Sequence, residues 1–149
     1  MKKLGFGCMR LPLTNPEEPT SVDLKQFCEM IDTFMDNGFT YFDTAYPYHQ
    51  RQSELFVKKA LVERYPRNSF TLADKLPVPF MKTKEDAKRI FDEQLEKCGV
   101  NYFDYYLLHS LNRNHYQTAL KFGCFDFIKK MKEEGKIREI GFSFHDTAD

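Results

Sequence analysis

The sequence predicts an α/β fold built on a parallel sheet, and three observations support that reading. Short apolar runs recur at a nearly constant interval, over residues 4–8, 39–43, 70–75, 103–109 and 137–143. Segments with helical spacing of apolar residues lie between them. Each strand-plus-helix unit occupies roughly 30 residues, as expected for parallel strands joined by helical crossovers. Two architectures fit. An open doubly wound sheet suits five strands in 149 residues. A (β/α)8 barrel typically takes ~250 residues. Length alone favours the open sheet.

Taken in order, the first run leads into "GFGCMRLP", which has a G-x-G but no third glycine, and Pro12 where a helix would open. The context of a dinucleotide-binding fingerprint is therefore missing. Residues 22–37 place Leu24, Phe27, Cys28, Ile31, Phe34 and Met35 on one helix face, with Gly38 as the stop. The second run, "FTYFD", is aromatic and β-branched and ends on Asp43, with Tyr46 and Tyr48 just beyond it. A helix is predicted over 53–65, with Ser53 as its cap and Pro66 closing it. After the third strand, residues 83–99 give a face of Ala87, Ile90, Phe91, Leu95 and Cys98, capped by Thr83 and stopped by Gly99. A single helix over 116–134, closed by Gly135, precedes the fifth strand.

The totals limit the function. The chain is one domain by size. Its 22 Lys and Arg balance 22 Asp and Glu, so bulk charge argues for neither nucleic acid nor an anionic membrane surface. Its 42% hydrophobic content is enough for a core, and there is no apolar run of transmembrane length or secretory-signal pattern. Cys8, Cys28, Cys98 and Cys124 are far apart, which fits reduced, packed thiols in a cytoplasmic protein and gives neither a metal site nor a disulfide framework. His49, His115 and His145 have no ligand-like spacing and read as surface polar residues. The mixed-sign run over 82–89 reads as a solvated helix face. Arg51 and Glu54 are expected to interact near the strand ends, and Phe80 and Tyr116 are either substrate walls or loop packing.

The informative pattern is at the strand ends, where Asp43, Lys75, His109 and Ser143 occupy matching places in the repeat. In a parallel sheet these ends emerge on one side, the side where barrel enzymes carry their active sites. Singly, each has an ordinary reading as a turn former, a solvated amine or a packed imidazole. Together they suit one chemistry. A phenol titrates near ~10 in free solution. An adjacent ammonium stabilises phenolate, a carboxylate holds the ammonium, and an imidazole can orient a substrate oxygen. That is a general acid able to protonate a carbonyl oxygen while hydride is delivered to carbon. Physics alone leaves Tyr46 and Tyr48 as rivals for the acid.

These residues lie in segments that resemble the aldo-keto reductases. "DTAYPY" resembles the family's D-T-A-x-x-Y motif, and "TLADKLP" its lysine strand. "YFDYYLLHS" is similar to its histidine strand, "GKIREIGFS" to its fifth strand and "LGFGCMRLP" to its first. The matches run through the whole chain in the family's order. The resemblance implies a (β/α)8 TIM barrel, reversing the length argument. It implies Tyr48 as general acid, Asp43, Lys75 and His109 as its partners, NADP(H) as hydride donor, and a small carbonyl compound as substrate. It also implies that Gly7, Met9, Arg10, Asp43 and Ser143 line the nicotinamide end of the cofactor site.

Two departures qualify that expectation. Phe144 stands where most of the family has Asn after the strand-five Ser, and the wording is closer to a bacterial branch whose full-length members add a C-terminal iron–sulfur segment, for which this chain has no cysteine cluster. The chain also ends at Asp149, after strand five. The expectation is therefore residues 1–149 as the N-terminal part of an incomplete barrel of about five strands. Its apolar interior would be partly wet and its open edges would drive self-association. An inactive fragment, or a non-catalytic binding module on the same scaffold, is the alternative to a reductase.

Overall fold

The chain lays down strands side by side in the order in which they occur. In the computed structural model, which describes residues 3–147, β1 (Gly5–Gly7), β2 (Tyr41–Asp43), β3 (Thr71–Leu76), β4 (Phe103–Leu111) and β5 (Ile137–Phe144) form one sheet in the order β1-β2-β3-β4-β5. Every neighbouring pair is parallel. This order decides the architecture. A doubly wound sheet reverses its winding and buries its first strand in the middle, whereas here β1 and β5 are the two edges. Winding in one direction with right-handed crossovers puts all helices on one face, as in a barrel. The open doubly wound sheet favoured by length is thus corrected. The outermost residues of the 1–149 expectation, 1–2 and 148–149, lie outside the described residues.

The helices are α1 (Leu24–Asp36), α2 (Ser53–Val57, continuing through a wider turn over Lys58–Val62), α3 (Glu85–Cys98), α4 (Arg113–Lys121) and α5 (Cys124–Glu133). The single helix expected over 116–134 is two helices, because Gly123 takes φ 67° and turns the chain between them. Thr83 does not cap α3. Instead Asp86 reaches back and accepts the N–H groups of Lys82 and Thr83. Ser53 does not cap α2 either, since its hydroxyl is buried and bonds Thr44 and the Cys8 carbonyl.

The core lies between helices and sheet. Phe27 and Ile31 of α1, Ile90 and Phe91 of α3, and Ile128 and Met131 of α5 pack on the outward side chains Phe42, Leu72, Leu76, Phe103, Tyr106 and Leu108. Each such burial contributes ~1.5–3 kcal/mol. Phe91 meets Phe103, Tyr106 and Phe127 at 5.9, 4.9 and 5.7 Å between ring centres, so Phe91→Ala would cost about 3–5 kcal/mol.

The opposite, concave face differs from expectation. The register partners Gly7, Asp43, Ala73, Tyr105 and Glu139 share it, followed two residues on by Lys75, Leu107 and Gly141. It is polar, aromatic and small rather than apolar, and most Phe and Leu side chains point to the helices. Some of the wetted apolar groups lie at the sheet's two edges. Phe142 and Phe144 of β5 are 62% and 53% exposed and line a 380 Å³ cavity with Tyr116 and Phe125, while Leu4 is exposed just ahead of β1.

At the N-terminal end of the strands, a charged lock ties three of them together. Buried Asp104 on β4 accepts the Leu72 N–H of β3 at 2.9 Å, Arg67 at 2.6 Å and Arg138 of β5 at 3.2 Å. Both guanidinium groups lie over the Tyr102 ring, at 4.0 and 4.3 Å.

Candidate active site

At the C-terminal end of the strands, Asp43 closes β2 and Lys75 stands next to last in β3. The Lys75 side chain is only 6% exposed, so its charge needs acceptors. It donates to Asp43 Oδ1 at 2.5 Å, to the Thr44 carbonyl at 2.7 Å and to the Tyr48 hydroxyl at 3.5 Å. Its Nζ also lies 5.1 Å from the Tyr48 ring centre. A buried polar network backs the Lys75 main chain. Gln94 Nε2 donates to the Lys75 carbonyl and to Glu54 Oε1, Tyr106 donates to Gln94 Oε1, and Lys97 donates to Glu54 Oε2. Burial raises the Glu54 carboxyl while Lys97 opposes the shift. Burial, then neighbouring Glu54, push Asp74 well above the usual carboxylate range, although it accepts the Lys75 N–H. Arg51 and Glu54 do not pair. Lys97 joins them instead, donating to the Arg51 carbonyl and to Glu54.

Tyr48 opens a turn in which His49, Gln50 and Arg51 all take positive φ, 48°, 51° and 69°, without a glycine among them. Left-handed backbone costs such residues roughly 1–2 kcal/mol each, so packing must hold this turn. The rival phenol is committed elsewhere. Tyr46 is buried, its hydroxyl donates to Glu93 of α3 at 3.3 Å, and the Arg51 guanidinium lies 4.7 Å from its ring centre.

His109 stands near the end of β4, its ring 6.0 Å from that of Tyr48 and nearly perpendicular to it, at 84°. A break in register between Leu108 and Leu111 re-aims this strand end, with Ser110 at φ 60°. Ser143 Oγ accepts the Ser110 N–H at 2.7 Å, and His115 Nδ1 meets the Ser110 carbonyl at 2.6 Å. Burial, then the Lys75 charge, then His145, push His109 down to about 4. At neutral pH it is an uncharged imidazole with one N–H to donate. On the floor below, Tyr41 stacks edge-on against Tyr105, and burial followed by the Asp43 charge pushes its phenol up to about 12.

The remaining candidate residues lie on neighbouring elements. Gly7 pairs with Asp43 in the sheet, and the space where a Cβ would sit is open. Met9 and Arg10 are exposed on the β1–α1 loop, and Ser143 is half-buried near the end of β5. Of the histidines read as surface polar groups, His145 is exposed, but His49 and His115 are half-buried and hydrogen-bonded. Phe80 is 44% exposed and its ring meets Tyr46, while Tyr116 packs on Phe125. Gln94, Asp74 and Ser110 had no signal in the sequence, whereas Glu54, expected near the strand ends with Arg51, has Lys97 rather than Arg51 as its partner. Among the described residues no group of three or more His, Cys, Asp or Glu is placed to hold a metal ion, and no helix is long and apolar enough to cross a membrane.

Residues 3–149 match the model of the Aldo/keto reductase family. A probable aldo-keto reductase 1 from Glycine max is 30% identical over 155 residues, covering 96% of this chain and 41% of that protein. An aldo-keto reductase from Klebsiella pneumoniae, solved in complex with NADPH, superposes with a TM-score of 0.73 at 27% identity, over 97% of this chain and 46% of that one. The holo form of a Bacillus halodurans aldo-keto reductase gives 0.71 at 28%, over 95% and 45%. The chain thus spans under half the length of these relatives, and its five strands are a partial barrel. Plant and bacterial relatives both match, so the bacterial wording of the motifs assigns no source.

Proposed function

Since the chain belongs to the aldo/keto reductase family, we propose that it supplies the proton-donating part of an NADP(H)-dependent carbonyl reductase, residues 1–149 being the N-terminal part of the barrel. The observation that carries this reading is the convergence of Asp43, Lys75 and Tyr48 on one ammonium, with His109 facing the Tyr48 ring. Tyr48 donates its proton to the carbonyl oxygen of an aldehyde or ketone. The Lys75 charge faces the phenol oxygen and stabilises the negative charge left there, and Asp43 holds that ammonium in place. Neutral His109 donates a hydrogen bond to the same carbonyl oxygen and orients it.

The residues present fit the nicotinamide end of the cofactor. Gly7 leaves open space beside Asp43, and exposed Met9 and Arg10 flank it on the loop. Gly7, Met9, Arg10, Asp43 and Ser143 would hold that end. When bound, NADP(H) supplies the hydride. Titrating the chain with NADPH and following cofactor fluorescence tests the reading. Saturable binding is expected, and none up to millimolar cofactor would overturn it.

Self-association is a second, compatible reading. The exposed Phe142 and Phe144 and the unpaired β5 edge support it. Light scattering across a concentration series tests it, and a monomer throughout would exclude it.

A further inference from the structure

The turn that carries Tyr48 also grips the loop that carries Met9 and Arg10, and the grip is one imidazole. His49 Nε2 accepts the Leu11 N–H at 3.1 Å, and His49 Nδ1 meets the Pro19 carbonyl at 2.7 Å. A backbone N–H only donates and a carbonyl only accepts, so the ring is neutral, with its proton on Nδ1. Both partners belong to the β1–α1 loop, which is internally braced by the Leu13–Val22 bridge and by the Thr14 N–H on the Ser21 carbonyl. The start of the loop is held from the same region, with the Cys8 N–H on the Asp43 carbonyl and the Ser53 hydroxyl on the Cys8 carbonyl. Met9 and Arg10 are therefore suspended between two anchors, one of which is the residue after Tyr48. The left-handed backbone of His49 to Arg51 is unfavourable without such tertiary contacts, so loop and turn hold each other.

We propose that His49 is a positioning residue, a tautomer-specific clamp that fixes the β1–α1 loop, and with it the nicotinamide side of the cofactor site, relative to Tyr48. The cofactor half of this statement rests on the function proposed above, whereas the clamp itself does not. The test uses the full chain and two variants. His49→Gln retains one donor and one acceptor at similar spacing, while His49→Phe keeps the ring and loses both. Nitrogen-15 NMR of the parent should show the Nδ1–H tautomer at His49. In His49→Phe the Leu11 amide should exchange with deuterium about tenfold faster, as expected for losing one or two hydrogen bonds, while core amides such as Phe42 and Leu72 stay protected. NADPH affinity should fall about tenfold in His49→Phe, and His49→Gln should stay within about threefold of the parent on both readouts.

An Nε2–H tautomer, or unchanged Leu11 exchange in His49→Phe, would overturn the clamp. Equal acceleration of loop and core amides would reduce His49 to general stability and also overturn it. If His49→Phe fails to fold, the parent's tautomer and the His49→Gln exchange pattern decide. If the parent binds no NADPH, the reductase reading fails, and the clamp is judged on tautomer and exchange alone.

Discussion

Acid should destabilise this protein through His109, and the size of the effect follows from its surroundings. Burial, with Lys75 and then His145 adding repulsion, holds the imidazole at about 4 against an ordinary 6.5. The folded state prefers the neutral ring. The corresponding stability is fully present above the ordinary value and is lost as pH falls toward about 4. At ~1.36 kcal/mol per pH unit, moving from about pH 7.5 to about pH 4.5 would cost roughly 2.5 kcal/mol. The ring is half-buried at the open end of the sheet, so screening cuts this to about 1–1.5 kcal/mol. Urea unfolding at both pH values, for the parent and for His109→Asn, isolates the contribution, because Asn keeps an N–H donor and does not titrate. The parent should lose about 1–1.5 kcal/mol more than the variant. Equal losses would refute the reasoning, as would an NMR titration of His109 centred near its ordinary value. The same neutrality means that an activity loss between about pH 5.5 and 8 would have a source other than His109 protonation.

Other consequences can be measured in parallel. Tyr48→Phe should lower single-turnover reduction of an aldehyde about 10²–10⁴-fold, whereas Tyr46→Phe should change it only a few-fold, because the Tyr46 hydroxyl is spent on Glu93. Asp104→Ala should cost about 3–4 kcal/mol in urea unfolding, since it orphans the buried Leu72 N–H and the Arg67 charge. Arg138→Ala should cost under ~1 kcal/mol, its side chain being 61% exposed. The double change Phe142→Ser and Phe144→Ser should shift light scattering toward monomer, and an unchanged mass distribution would clear those rings of any role in association.

Asp43, Lys75, His109 and Ser143 could be found in the sequence because parallel strands of equal repeat deliver equivalent positions to one end of a sheet. Other features depend on chain geometry that one-dimensional periodicity does not encode. Length could not separate an open sheet from a barrel, since that distinction is a matter of strand order. The irregularity at Ser110 lies inside "YYLLHSL", an uninterrupted strand by composition, and exists because Ser143 and His115, on later elements, bond its main chain. His49 read as a surface residue because its partners, Leu11 and Pro19, are 38 and 30 residues away. Asp74 carried no signal in the sequence: strand alternation turns it into the helix layer, where burial raises its carboxyl well above the usual range.

The strand order has a consequence for how the molecule comes into being. Each strand pairs only with the strands before and after it in sequence. No hydrogen-bonded ladder in the described region waits for a distant segment, and each crossover brings its own helix to cover the strand just added. A chain of this kind can grow its sheet from one edge as it leaves the ribosome, each unit finding its template already in place.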